Sequence, residues 1–128
     1  MSAPKNTYFK TDIVPNSKAV LLRLDGAIEG AAQERLEATF RDLFLKRAYN
    51  IIVEMSSVDF VSSSGVGFLI AAQTEAYEHQ GNVILVAPSA KVRRVFTMLN
   101  LTSLIHIVDD IASAMLHINA ASPLTNEP

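Results

Sequence analysis

No cysteine occurs anywhere in the chain, which excludes disulfides, thiolate catalysis and cysteine-ligated zinc or iron–sulfur clusters together. A reducing compartment fits that absence. Excess charge of either sign is also missing: 11 lysines and arginines stand against 13 aspartates and glutamates, a formal net charge of −2, and the pI is about 5.9. That balance provides no broad positive field to release counterions from nucleic acid or to hold an anionic membrane. Neither is an expected partner. The longest apolar runs, such as Val83 to Ala87, fall far short of the ~20 residues that cross a bilayer. The opening MSAPKNTYFK has no apolar stretch of the roughly 7 to 15 residues that a secretory signal requires. The expected location is the cytoplasm, without membrane insertion.

What is present suits one globular domain. The chain has 128 residues, 49% of them hydrophobic and only 19% charged, enough apolar surface to offset the conformational entropy lost on folding. A single domain over residues 1–119 is expected, followed by a tail over 120–128 whose composition is that of a frayed end.

Residues 7–14 and 19–25 read as two short strands around the turn residues Pro15-Asn16-Ser17, a hairpin pattern. After Asp25-Gly26, residues Ala32, Leu36, Phe40, Leu43 and Phe44 recur at helical spacing, with Glu34, Arg35, Glu37, Arg41 and Asp42 on the other face. The pattern predicts a helix over about 29–47. The β-branched runs Asn50 to Glu54 and Val83 to Ala87 predict strands. Between them a helix from about Ser64 to Gln80 turns Phe68, Leu69, Ala72, Ala76 and Tyr77 inward and stops at Gly81. Ser89 is placed to cap a third helix with the stripe Val92, Val95, Phe96 and Leu99. A last strand over Leu104 to Val108 follows, then a helix capped by Asp109 with Ile111, Met115 and Leu116 inward. The order β-β-α-β-α-β-α-β-α predicts an α/β fold with a mostly parallel sheet and one antiparallel strand.

The unusual segment is Val58-Asp-Phe-Val-Ser-Ser-Ser-Gly-Val-Gly67, three consecutive hydroxyls and two glycines joining a strand to a helix. The carboxyl ends of parallel strands are where ligands bind in open α/β sheets. A helix N-terminus there presents unpaired N–H groups and roughly half a positive charge, which suits either a capping serine or one carrying a phosphate. Phosphorylation would add roughly −1.5 to −2 charges and so switch off a partner that docks on this loop through an acidic or apolar surface. Gly65 and Gly67 can equally serve only to let the first helical turn pack against the strand.

At these residues the chain resembles the STAS domain family, in particular the bacterial anti-sigma factor antagonists. The resemblance is carried by Leu24-Asp-Gly-Ala-Ile-Glu29, Ile51-Ile-Val-Glu54, the serine segment 58–67, and Gly81-Asn-Val-Ile-Leu-Val86, together with the helix ending at Leu99 and the strand and capped helix from Leu104. It implies a protein-binding switch in which a partner serine kinase of the histidine-kinase-like ATPase type doubles as the anti-sigma factor and phosphorylates the serine after a motif aspartate. Carried over by position, that serine is Ser63, with Ser62 and Ser64 as alternates, and the motif aspartate falls on Ser62. Asp25 corresponds to the acid that orders the turn before the first helix. The implied contact surface is Asp25, Phe60, Val61, Ser62, Ser63, Ser64, Gly65, Val66 and Gly67. A phosphatase would reset the switch, and the chain would be a monomer or weak homodimer.

Other chemistry finds less support. Residues 61–67 do not make a Gly-x-Ser-x-Gly nucleophile elbow, and His79, His106 and His117 fall near a helix end, in a strand and in the last helix, with no reason to meet a serine. Gly65-Val-Gly67 opens a helix as phosphate-cradling loops do, but no Gly-Lys-Ser/Thr follows, so a nucleotide-binding domain is an alternative without a full motif. No His, Asp or Glu cluster has metal-ligand spacing; neither metal nor cofactor is expected. Lys91, Arg93 and Arg94 form a basic face on the third helix, from which Arg93 and Arg94 join the implied contact surface. The remaining alternative is an unphosphorylated STAS scaffold subunit of a stress-signalling or lipid-transport complex.

Overall fold

The computed structural model describes residues 8–13 and 19–120; the turn at Pro15-Asn16-Ser17 and residues 121–128 of the expected tail lie outside them. Among the described residues five strands and four helices follow in the order β1 (Tyr8–Ile13), β2 (Val20–Ile28), α1 (Gly30–Leu45), β3 (Asn50–Val61), α2 (Ser63–Glu78), β4 (Asn82–Val86), α3 (Ala90–Met98), β5 (His106–Val108) and α4 (Ile111–Ala120), with a 3₁₀ turn at Leu101–Ser103 before β5. In the sheet the strands lie side by side in chain order. β2, β3, β4 and β5 are mutually parallel, and β1 runs antiparallel to β2, with Tyr8 opposite Asp25 and Ile13 opposite Val20.

Chain order decides where the helices go. Crossovers of one hand between successive neighbouring strands leave their helices on one face of the sheet, and α1, α2 and α3 share one core. Leu36, Phe40, Val66, Leu69, Ala72, Val92 and Phe96 meet the strand residues Leu22, Leu24, Ile51, Val53, Val83 and Leu85 there. The alternate strand residues Leu21, Ile52, Ile84 and Val86 point to the opposite face and are covered by Ala114 and Ile118 of α4. Both faces of β4 are therefore closed, and all five of its residues are buried, as its unbroken apolar run requires.

The end of α2 fixes the next strand. Gln80 takes the left-handed conformation, φ 63°, its N–H bonds Tyr77 O at 3.1 Å, and the N–H of Gly81 bonds Ala76 O at 2.8 Å. This is a Schellman stop in which the left-handed residue is Gln80 and not a glycine. Gly81 is required for space, since a Cβ there would collide with the Tyr49 carbonyl.

Several expected details are corrected. β2 runs on through Asp25-Gly26 to Ile28, and β3 continues from Glu54 to Val61, so Asp25 is a strand residue opposite Ser57 and orders no turn. Tyr77 and Leu116, expected inward, are each 70% exposed, and Val95 and Leu99 stand at the surface while Val92 and Phe96 alone fill the core from α3. Asp110 caps α4 in place of Asp109, its carboxylate accepting from Ser113 N at 2.7 Å. Leu104 precedes β5, which is only three residues long.

Candidate functional site

The serine turn is built by the far end of β3. Two register shifts against β2, between Arg23 and Asp25 and between Gly26 and Ala27, bring Phe60 and Val61 opposite Ala27 and Ile28. Ser62 N then donates to Ile28 O at 3.0 Å, tying the turn to the end of β2. Ser62 is extended, φ −70° and ψ 163°, and caps α2 by accepting Gly65 N at 2.9 Å. The first turn of α2 lies hard against the strands: a Cβ on Gly65 would stand 3.1 Å from Ile28 Cγ2 and 3.1 Å from Val61 Cγ1. Gly67 has open space around it, so close packing accounts for the first glycine and not for the second.

The three hydroxyls are not equivalent. Ser62 Oγ donates to Gln33 Oε1 at 2.8 Å and Ser64 Oγ donates to the same oxygen at 3.1 Å, the two hydroxyl oxygens being 3.2 Å apart. Gln33, on the first turns of α1, is 9% exposed, and its Nε2 donates to Glu37 Oε2 at 3.0 Å. Ser63 is exposed, and no described group bonds its hydroxyl. It is the first residue of α2, where helix geometry leaves the N–H groups of Ser63 and Ser64 without intrahelical acceptors.

Gln33 was not among the residues singled out in the sequence. It occupies the same helical stripe as Leu36, Phe40 and Phe44, at offsets of three, seven and eleven residues. An uncharged polar residue on an otherwise apolar stripe must find a partner when buried, and that position is the signal that points to it.

The expected contact residues divide. Phe60 is 45% exposed, and Asp25, Ser63, Ser64 and Gly67 are exposed, with Ser62 half-buried. Val61 and Val66 are 7% and 4% exposed and belong to the core, and Gly65 is buried beneath them; these three hold the turn and offer a partner no side-chain surface. The basic residues sit at the start of α3, which follows β4 as α2 follows β3, so both helix starts share the carboxyl edge of the sheet. Arg93 is engaged with Asp109 at 3.4 Å, whereas Arg94 is exposed. His79 caps the opposite end of α2, about 24 Å along the helix from Ser63, and stacks on Tyr49 with ring centroids 4.1 Å apart. His106 and His117 pair with each other, centroids 4.3 Å apart. Among the described residues no three or more His, Asp or Glu side chains come together in a way that would hold a metal ion, and no described helix is long and apolar enough to cross a membrane.

A mostly parallel sheet covered by three helices on one face and one on the other, with a hydroxyl-bearing turn at its carboxyl edge, defines an open-sheet α/β domain whose distinctive surface is that turn. The STAS domain model matches residues 8–114, and the chain belongs to the STAS domain family. The anti-sigma F factor antagonist of Lysinibacillus sphaericus is 30% identical over 90 residues, 70% of this chain and 76% of that one. A Thermotoga maritima protein named as a candidate anti-sigma factor antagonist is 33% identical over 75 residues, 58% of this chain and 66% of that one. A crystal structure of a Thermotoga maritima protein of the same designation superposes with a TM-score of 0.79 at 24% identity, covering 87% of this chain and 94% of that one. The Bacillus cell-fate determinant SpoIIAA, an anti-sigma factor antagonist solved in unphosphorylated and phosphorylated forms, superposes with a TM-score of 0.67 in each. The identities are 25% and 26%, over 86% of this chain and 96% and 98% of those.

Proposed function

We propose that this chain is an anti-sigma factor antagonist: a cytoplasmic protein-binding switch, a substrate and not an enzyme, whose free form captures an anti-sigma factor and so releases a sigma factor for transcription. The anti-sigma factor is itself a serine kinase of the histidine-kinase-like ATPase type, and Ser63 is the acceptor. The observation that carries this reading is the exposed hydroxyl of Ser63 at the first position of α2, which no described group bonds. In the transfer, Ser63 Oγ forms a bond to the γ-phosphorus of ATP. The bond from that phosphorus to the β,γ-bridging oxygen breaks, ADP leaves with the electron pair, and the hydroxyl proton passes to a base on the kinase.

The phosphate then sits at the positive end of α2, which tolerates it, while its roughly −1.5 to −2 charges repel a partner docked against Phe60, Ser63 and Gly67. Arg94, exposed on α3 at the same sheet edge, is a cation that can pair with acidic groups of that partner. A phosphatase returns the chain to its binding form.

Incubation with ATP and an anti-sigma factor kinase of the histidine-kinase-like ATPase type tests this reading. One phosphate per chain, absent from Ser63→Ala, is the expected result, and Ser63→Asp weakens kinase binding by tenfold or more. A second reading, an unphosphorylated scaffold subunit of a larger complex, is favoured by one observation: the residue at the motif-aspartate position is the neutral cap Ser62. No phosphate on any serine, with binding to the kinase absent, would select it.

A further inference from the structure

We infer that Gln33 selects which of the three adjacent serines receives phosphate, with Glu37 setting the orientation of the Gln33 amide. The inference rests on the phosphorylation reading above and concerns the choice of acceptor within it.

Residues 62–64 present three chemically identical hydroxyls within one helical turn, so a kinase bound at this edge has no intrinsic reason to prefer one. The surrounding bonds supply the difference. A carbonyl oxygen has two lone pairs, and Gln33 Oε1 takes one hydroxyl proton from Ser62 at 2.8 Å and one from Ser64 at 3.1 Å. Either serine can attack phosphorus only by withdrawing its hydroxyl from Gln33. That withdrawal leaves a carbonyl oxygen short of a donor in a site with 9% exposure, which is unfavourable wherever water cannot replace the lost partner. Ser62 is further committed by accepting Gly65 N. Ser63 has no such bond to break.

The direction of these bonds depends on which end of the Gln33 amide faces the serines. With the amide reversed, its NH₂ group would donate to Ser62 and Ser64 and leave both hydroxyl protons free. The carboxylate of Glu37 accepts and cannot donate, and it bonds Gln33 Nε2 at 3.0 Å. Glu37 therefore holds the nitrogen away from the turn and the oxygen towards it. Gln33 touches no transferred atom and is a positioning residue.

The test uses the full chain, its kinase and ATP, with the phosphate on each serine quantified by site-resolved mass spectrometry. Wild type is expected to carry nearly all phosphate on Ser63. Gln33→Met, of similar volume but without the acceptor, should raise the combined share of Ser62 and Ser64 at least tenfold. Glu37→Leu, at a half-buried position where folding is less at risk, should raise it several-fold by freeing the amide to turn over. The exchanged pair Gln33→Glu with Glu37→Gln restores an acceptor facing the serines and a donor behind it, and should return the phosphate to Ser63 alone; a purely structural role for Gln33 predicts no movement of the site ratio in any variant. Phosphate confined to Ser63 in both Gln33→Met and Glu37→Leu overturns this inference and leaves the Ser63 switch standing. Should Gln33→Met fail to fold, Glu37→Leu alone decides it. Wild type phosphorylated chiefly on Ser62 or Ser64, or on no serine, overturns the choice of Ser63 and the inference with it.

Discussion

Gly65 lies so close to Ile28 that a Cβ on it would stand 3.1 Å from Ile28 Cγ2, with Val61 Cγ1 at the same distance. Both neighbours are β-branched and buried, so neither can swing aside freely. Gly65→Ala should destabilise the chain by up to about 2 kcal/mol, the overpacking penalty less the helix-propensity gain. Gly67 lies in the same helix with nothing near it, and Gly67→Ala should stabilise by about 0.5–1 kcal/mol. Urea denaturation of the two variants checks both signs, and similar shifts would contradict the asymmetry.

Ser62 and Ser63 should separate in the same assay. Ser62→Ala removes the cap of α2 and one donor to Gln33, an expected loss of about 1–2 kcal/mol. Ser63→Ala removes an exposed hydroxyl that no described group bonds and should stay within about 0.5 kcal/mol of wild type.

Ser63→Asp places a negative charge at the first position of α2. It should raise stability by about 0.3–1 kcal/mol at low ionic strength, and the gain should shrink in concentrated salt. A variant that folds better yet binds the kinase more weakly would assign the loss of binding to charge and not to damage.

Much of this architecture was legible because apolar periodicity and burial coincide in α1, α2 and β4. It failed where the backbone leaves regular geometry. Along β3 beyond Met55 the pattern is two exposed residues, Ser56 and Ser57, then buried Val58, then exposed Asp59 and Phe60, then buried Val61. The two register shifts against β2 break the two-residue alternation, so this stretch reads as loop. The surface apolar residues Tyr77 and Leu99 misled for a different reason: a stripe position near a helix end can overhang the sheet it is patterned to cover. Ser63 was legible by its place in a motif. The hydrogen bonds that engage Ser62 and Ser64 were not, because they run to Gln33 on the preceding helix.

The last prediction concerns His106 and His117, which join β5 to α4. Partial desolvation, and then the adjacent His117, hold the His106 pKa below its ordinary 6.5 although the residue is exposed. The unfolded chain therefore takes up this proton first as pH falls, and the folded state loses stability from about pH 6.5 down to the folded pKa, below which the loss is complete. Above that range the contribution is fully present. His117→Gln removes the second cause and keeps the first, so the slope should diminish without vanishing, whereas His106→Gln should abolish it. Asp110 gives a separate limb: its carboxylate is held below the ordinary 3.8 by the Ser113 N–H and hydroxyl, so the capping contribution persists through the histidine range and is lost only as the solution becomes more acidic than the usual carboxylate range. Urea midpoints followed from about pH 8 to about pH 3 distinguish the two: Asp110→Asn alters the acid limb alone, and a histidine limb unchanged in His106→Gln would remove this pair as its source.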